Sequence, residues 1–208
     1  MKRNSVSMKT EQFCPVHTVL TEAVLDGMPA LRVTKGEEKR LRFDENTFVL
    51  ARGVQFHNGV IEAEFVSRLL PDAPDFARGF IGIVFRAAED GREFESFYIR
   101  PTNAHAEDPV RRAHGCQYFA YPGYTFAYFR EFGISGYEAP VDTGLEELVH
   151  LRAEIRGEKA AFYLNHAPDP VLRVEKLLHG ADAVGGVGLF VDIGTEGLFR
   201  SLTILSED

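Results

Sequence analysis

The chain contains no tryptophan and only two cysteines. Any flat ring surface it presents must therefore come from its seven tyrosines and 17 phenylalanines. Cys14 and Cys116 lie far apart in the chain, at neither a metal-knuckle spacing nor the spacing of a disulfide framework, so two free thiols are expected. No run approaches the roughly 18 consecutive apolar residues of a membrane-spanning helix. The opening MKRNSVSMKT carries Lys2, Arg3 and Lys9 with no apolar stretch behind them, so it does not read as a secretory signal. A cytoplasmic location and a flexible N-terminus over residues 1–12 are the expectations. Positive charge is also scarce: 23 Lys and Arg face 31 Asp and Glu, a net charge of −8. That balance removes any general electrostatic case for nucleic acid or an anionic membrane as partner. There is no N-x-[ST] acceptor, no fixed-period repeat and no low-complexity tract, and residues 13–208 read as a single domain.

What is present is alternation with a period of two. In GVIEAEFVS, Ile61, Ala63 and Phe65 point one way and Glu62 and Glu64 the other. In ELVHLRAEIRG, Val149, Leu151, Ala153 and Ile155 alternate with His150, Arg152, Glu154 and Arg156. Each pattern predicts a half-buried strand with one wet face. GFIGIVFR, FESFYIR, CQYFAY, AAFYLN and GVGLFVDI are further short runs rich in β-branched and aromatic residues, separated by Gly, Pro, Asn or Asp. PALRVTK, KRLRF and NTFVLARGVQF complete the expected strands, and VDIGTEGLF reads as a tight hairpin. Only DTGLEELVH and VEKLLHGAD come near helical spacing, each for a turn or two. The expected class is all-β, two sheets face to face.

In order along residues 48–205, FHNGVIEAEF, GFIGIVFR, FESFYIRP, QYFAY, HLRAEIRGEKAAFYLN and GGVGLFVDIGTEGLFRSLTI resemble the concanavalin A-like lectin/glucanase superfamily. More narrowly they are similar to bacterial laminarinase-like and 3-keto-disaccharide hydrolase-like domains. The resemblance implies a jelly-roll sandwich of two curved antiparallel sheets that binds or cleaves a glycan on its concave face. The E-x-D-x-x-E run of the laminarinase branch is absent here, so retaining glucanase chemistry is not expected. Fold alone does not assign function, and the site has to be argued from residues.

The residues that suit a sugar cluster in one stretch. Arg86, Tyr98 and Arg100 would share a face as the floor of a groove, with Glu62 and Glu64 near it if the strands are neighbours. Gln117, Tyr118, Tyr121 and Tyr124 would form its wall, and Asn103 would lie on a loop beside it. Arginine forks give directional hydrogen bonds to vicinal hydroxyls, and tyrosine rings stack on the apolar face of a pyranose. The competing readings are a solvated face with cross-strand ion pairs and a self-packed surface loop. His105, Glu107, Asp108 and His114 match no recognised metal-ligand spacing. No cofactor is expected, with a structural divalent cation such as calcium as the one alternative.

The expected function is carbohydrate binding, with an oligosaccharide or glycan as partner. A hydrolase or lyase of the same fold is the first alternative, using Glu95 or a Glu62/Glu64 pair, with His105 or His114 as general acid/base. A protein-interaction module is the second.

Overall fold

The computed structural model describes residues 2–43 and 45–207. In chain order the strands are β1 (Lys2–Val6), β2 (Phe13–Val16), β3 (Thr18–Leu25), β4 (Met28–Lys35), β5 (Phe48–Ala51), β6 (Asn58–Leu69), β7 (Ile81–Ala87) and β8 (Phe94–Ile99). They continue as β9 (Cys116–Tyr121), β10 (Glu138–Ala139), β11 (Leu148–Arg156), β12 (Lys159–Leu164), β13 (Leu172–Val174), β14 (Gly186–Val191) and β15 (Thr195–Glu207). Three short helices, α1 (Pro101–Ala104), α2 (Pro109–Arg112) and α3 (Phe126–Glu131), interrupt the stretch between β8 and β10, where no helix was expected.

The strands form two antiparallel sheets. One has eight strands in the order β13-β12-β11-β6-β15-β4-β3, with β1 also on β15; the other has seven in the order β10-β9-β8-β7-β14-β5-β2. The stretch expected to be flexible contributes β1, whose Val6 pairs with Leu202 and Lys2 with Ser206. It takes over the edge of β15 beyond Phe199, where β4 stops, so the backbone groups of the long last strand stay paired.

The alternation placed the inter-sheet core. Ile61, Ala63 and Phe65 of β6, Ile81, Ile83 and Phe85 of β7, and Val149, Leu151, Ala153 and Ile155 of β11 are all buried between the sheets. Phe97 stacks on Phe162 across that space at 4.2 Å. The seven-stranded sheet is covered on its other face too. Phe48, Phe94, Phe119 and Phe190 pack there with Phe129 of α3 in a second apolar cluster. This explains the near-continuous apolar runs of β5, β7, β8 and β14, which read as strands buried on both faces.

Two expected elements differ. KRLRF is not a strand: residues 37–39 wind into a single tight turn, and Arg42 donates back to the Lys39 carbonyl. The Lys39–Glu45 ion pair, at 2.7 Å, closes that turn. VDIGTEGLF is not a hairpin either, since β14 and β15 lie in opposite sheets and residues 192–194 carry the chain across. Asp192 shapes the crossing by pairing with buried Lys35 and accepting from the Ile193 amide at 2.8 Å. Among the described residues no helix is long and apolar enough to cross a membrane.

Candidate functional site

β8 and β9 carry two polar clusters, one on each face, because successive side chains on a strand point in opposite directions. Glu95, Phe97 and Ile99 point between the sheets, as do Cys116, Tyr118 and Ala120 of β9. Tyr98 and Arg100, with Gln117 and Phe119, point outward.

The inner cluster is sealed. Glu95 and Tyr118 are 0% exposed, and the Tyr118 hydroxyl donates to Glu95 at 2.7 Å while accepting from the Leu178 amide at 2.8 Å. Arg86 reaches the same carboxylate at 3.5 Å. Its remaining donors go to the carbonyls of His57 at 3.0 Å, Gly180 at 3.1 Å and Gly157 at 2.8 Å, and to Asn58 at 3.3 Å. Burial pulls the Arg86 guanidinium below the usual arginine value and Glu95 partly restores it. Burial, reinforced by Glu95, pushes the Tyr118 phenol well above its ordinary range.

The expected groove floor is therefore divided. A bulge opposite β14 shifts the register between Gly186 and Gly188, and Arg86 takes a left-handed φ of +50°. The bulge turns its side chain away from the face that Tyr98 and Arg100 share. Tyr118 leaves the expected wall for a simpler reason: next to the outward Gln117, it must point inward. Glu95, which shares the parity of Phe97 and Ile99, has no open surface from which to act on a ligand.

The outer cluster is organised around Arg100. Its Nη1 donates to Glu138 at 2.7 Å and to the His114 carbonyl at 3.2 Å. Its Nη2 donates to the Tyr98 hydroxyl at 2.8 Å and to the Gln117 carbonyl oxygen, which also accepts from Tyr98 at 2.7 Å. Burial alone would lower the Arg100 value; Tyr98 and Glu138 overcome it, so the group is held above its ordinary value and stays charged. The Gln117 amide nitrogen is buried with no acceptor among the described residues. Asn103 joins from α1, donating to the His114 carbonyl at 2.8 Å and accepting from Arg111 of α2 at 2.8 Å.

This cluster opens at the end of the seven-stranded sheet, where the aromatic cover stops. A pocket of about 250 Å³ is lined there by Tyr98, Arg100, Asn103, Arg111 and Asp192, by Arg78 and by the rings of Phe43, Phe76, Phe80 and Phe126. Arg100 lies 5.3 Å from the Phe126 ring centre and Arg130 lies 4.8 Å from it, so two cations stack on that ring. Phe43 and Phe76 pair at 5.1 Å and are 56% and 40% exposed. His114 and Arg130 also border a second depression of about 340 Å³ formed with residues 133–138. The Nδ1 of His114 lies 3.0 Å from Glu138, off hydrogen-bonding alignment, and its Nε2 lies 2.6 Å from Arg130.

The remaining expected residues are dispersed. His105 lies on the surface with Asp142 at 2.9 Å, apart from His114. Tyr121 faces outward but stacks on Phe94 at 5.1 Å within the aromatic cover, and Tyr124 packs on Tyr128 at 5.2 Å. Glu62 and Glu64 belong to the other sheet, where Glu64 is engaged by Arg200 and Ser201. Asp108 caps α2 through the Val110 amide. Among the described residues no three His, Cys, Asp or Glu side chains converge as metal ligands would.

Arg78, Phe126, Arg130 and Glu138 were not singled out by the sequence. Antiparallel pairing offered one signal: Ile81 pairs with Ile99, so the residues just before β7 lie beside those just after β8, and Arg78 falls near Arg100. The others come from loops that no strand pattern reaches.

Neither a protein-family model nor a curated protein matches the chain. Solved structures do resemble it. A carbohydrate-binding module, CBM66, of Bacillus subtilis is 14% identical with a TM-score of 0.61, over 93% of this chain and 96% of that one. A proposed glycosyl hydrolase of Parabacteroides distasonis is 16% identical with a TM-score of 0.57, over the whole of both chains. A Bacillus subtilis protein of unknown function with a galectin-like fold is 11% identical with a TM-score of 0.56, over 98% and 94%. At these identities the likeness speaks to fold, and the fold of this chain is the concanavalin A-like sandwich of two antiparallel sheets.

Proposed function

We propose that the chain binds a carbohydrate, seating a sugar ring in the pocket at Tyr98 and Arg100. The observation that carries this reading is the fixed guanidinium of Arg100. Tyr98, Gln117 and Glu138 hold it in one orientation beside the exposed rings of Phe43, Phe76 and Phe126. A pyranose needs that pairing, since its hydroxyls want directional donors and its C–H face wants an apolar ring. At about 250 Å³ the pocket lies just below the usual range of ligand sites (~300–1,000 Å³), which suits one ring with its chain leaving over the rim. Support also comes from fold neighbours whose names include a carbohydrate-binding module and a proposed glycosyl hydrolase.

A thermal-shift screen against mono- and oligosaccharides, with and without Ca²⁺ and Zn²⁺, tests it. A sugar at a hundredfold excess over its Kd should stabilise the fold by about 2.7 kcal/mol. Arg100→Met should cut the shift to about half or less. No shift with any saccharide would remove the carbohydrate reading and favour a protein partner.

A second reading, cleavage of the glycan, is favoured by one observation. His114 stands between the two depressions with its Nδ1 3.0 Å from Glu138, off alignment here but within reach of an orienting hydrogen bond on a small turn of the ring. Sugar released in the same wells, and lost in His114→Gln with binding retained, supports it. Intact sugar after prolonged incubation leaves binding alone.

A further inference from the structure

The chain as a whole is acidic, yet the pocket is lined with cations. Four arginines, Arg78, Arg100, Arg111 and Arg130, border it with His114, and among the described residues the one carboxylate in its wall is Asp192. Asp192 is engaged by the buried Lys35. Glu138, behind the pocket, compensates Arg100 and lies 3.6 Å from Arg130.

Among the described residues Arg78 and Arg111 have no such compensation. Arg78 donates to the Asp75 and Ala77 carbonyls at 2.8 and 2.9 Å. Arg111 donates to the Asn103 side-chain oxygen at 2.8 Å, to the Thr102 hydroxyl at 3.0 Å and to the Thr102 carbonyl at 3.3 Å. Every one of these acceptors is neutral, and among the described residues no carboxylate pairs with either arginine. The positive charges feel one another: Arg78 is held below the usual arginine value by burial and then by the nearby Arg111 and Arg100. Protein surfaces rarely gather like charges unless something of opposite sign relieves the repulsion, and arginine forks match planar or tetrahedral oxyanions.

We propose that the pocket selects a saccharide bearing an anionic substituent, either the carboxylate of a uronic acid or a sulfate ester, held between Arg78 and Arg111. This selectivity rests on the sugar-site reading above. The aromatic rim formed by Phe43, Phe76 and Phe126 receives the ring, and the two arginines receive its charge. A neutral sugar of the same shape would leave the arginine pair unrelieved, and that difference is the source of discrimination.

Isothermal calorimetry with three probes tests it: trigalacturonate, its fully methyl-esterified form, and a sulfated galactan tetrasaccharide. The ester keeps size and ring chemistry while masking charge. The expected result is that the acid or the sulfated probe binds at least about tenfold more tightly than the ester, a difference of ~1.4 kcal/mol. That advantage should shrink as salt is raised. Whichever anionic probe binds more tightly identifies the source of the charge. Arg78→Gln should erase most of the advantage. It leaves the fold intact because its lost bonds are to its own turn, and a urea midpoint checks this. Arg111→Gln removes ties to Asn103 and Thr102 as well, so it is read only if its midpoint is unchanged. Equal affinity for acid and ester, with no effect of Arg78→Gln, overturns charge selectivity while the sugar site stands. Failure of all three probes and of neutral oligosaccharides overturns the sugar site itself.

Discussion

Two polar clusters on opposite faces of β8 and β9, the inner one joined by Arg86 of β7, differ in how far they are enclosed. Arg86, Glu95 and Tyr118 sit between the sheets with every charge enclosed, and Arg86 spends its donors tying three loops together at one end of the sandwich. Tyr98 and Arg100 sit on the other face, in a similar arginine–tyrosine pairing backed by the fully buried Gln117, and line a pocket. The residue types are nearly interchangeable. What separates the enclosed clamp from the proposed binding site is the parity of a strand position and a single bulge at Arg86.

The largest test of that contrast is Glu95→Ala. Removing one partner of a buried ion pair strands the other charge, and the cost should be about 3–5 kcal/mol, read from urea unfolding. Sugar affinity of the folded variant should stay at its original value. A cost under about 1 kcal/mol would show that the inner cluster is not a clamp, since the desolvated Arg86 could not be tolerated so cheaply.

Arg100→Met is the mirror experiment. It should weaken sugar binding by about 1.5–3 kcal/mol, the usual worth of a hydrogen bond to a charged group. Some stability should go with it, because Glu138 and Gln117 lose their partner. Retained affinity would place the ligand elsewhere.

Tyr98→Phe makes a finer cut. The ring stays against Phe80, Phe119 and Phe190, and only the hydroxyl that bridges Arg100 and Gln117 is lost. The expected loss is ~0.5–1.5 kcal/mol in binding, with a smaller change in melting temperature. An effect as large as that of Arg100→Met would mean the hydroxyl touches the sugar directly.

The smallest expected effect lies on the opposite sheet and serves as a control for both clusters. His150 stacks on His166 at 4.0 Å and faces Glu62, Glu64 and Arg152. Burial, then the neighbouring His166, hold its imidazole below the ordinary value, partly offset by Glu62 and Glu64. The native state thus binds fewer protons here than the unfolded chain. Its contribution is present above the unfolded value of about 6.5 and is lost as pH falls below it. His150→Asn should flatten the acid side of the stability curve and leave sugar binding unchanged. An unaltered slope would assign the acid sensitivity to other groups.

How legible the molecule was depended on the range of the signal. Alternation identified β6 and β11, and β-branched and aromatic composition identified β7, β8 and β9, because both are local properties of a strand. Strand parity also separates residues that composition alone groups together. Glu95 shares parity with Phe97 and Ile99, and Tyr118 is adjacent to Gln117, so neither could join an outward-facing site with Tyr98 and Arg100. The charged run at KRLRF misled because its alternation is carried by basic residues held in ion pairs: Lys39 with Glu45, closing a turn, and Arg40 with Asp72.

By itself the sequence determined the class of fold, the strands that build it and the outward placement of Tyr98, Arg100 and Gln117, all of which follow from a period of two. Tertiary structure alone decided that Arg86 turns inward at a bulge and that an aromatic layer with α3 fills most of the outer face. It also decided that Arg78, Arg111, Arg130 and Glu138 meet Arg100 at the open end. Those outcomes depend on which strands become neighbours and how loops fold back over them, and contacts between residues distant in the chain leave no periodic trace in it.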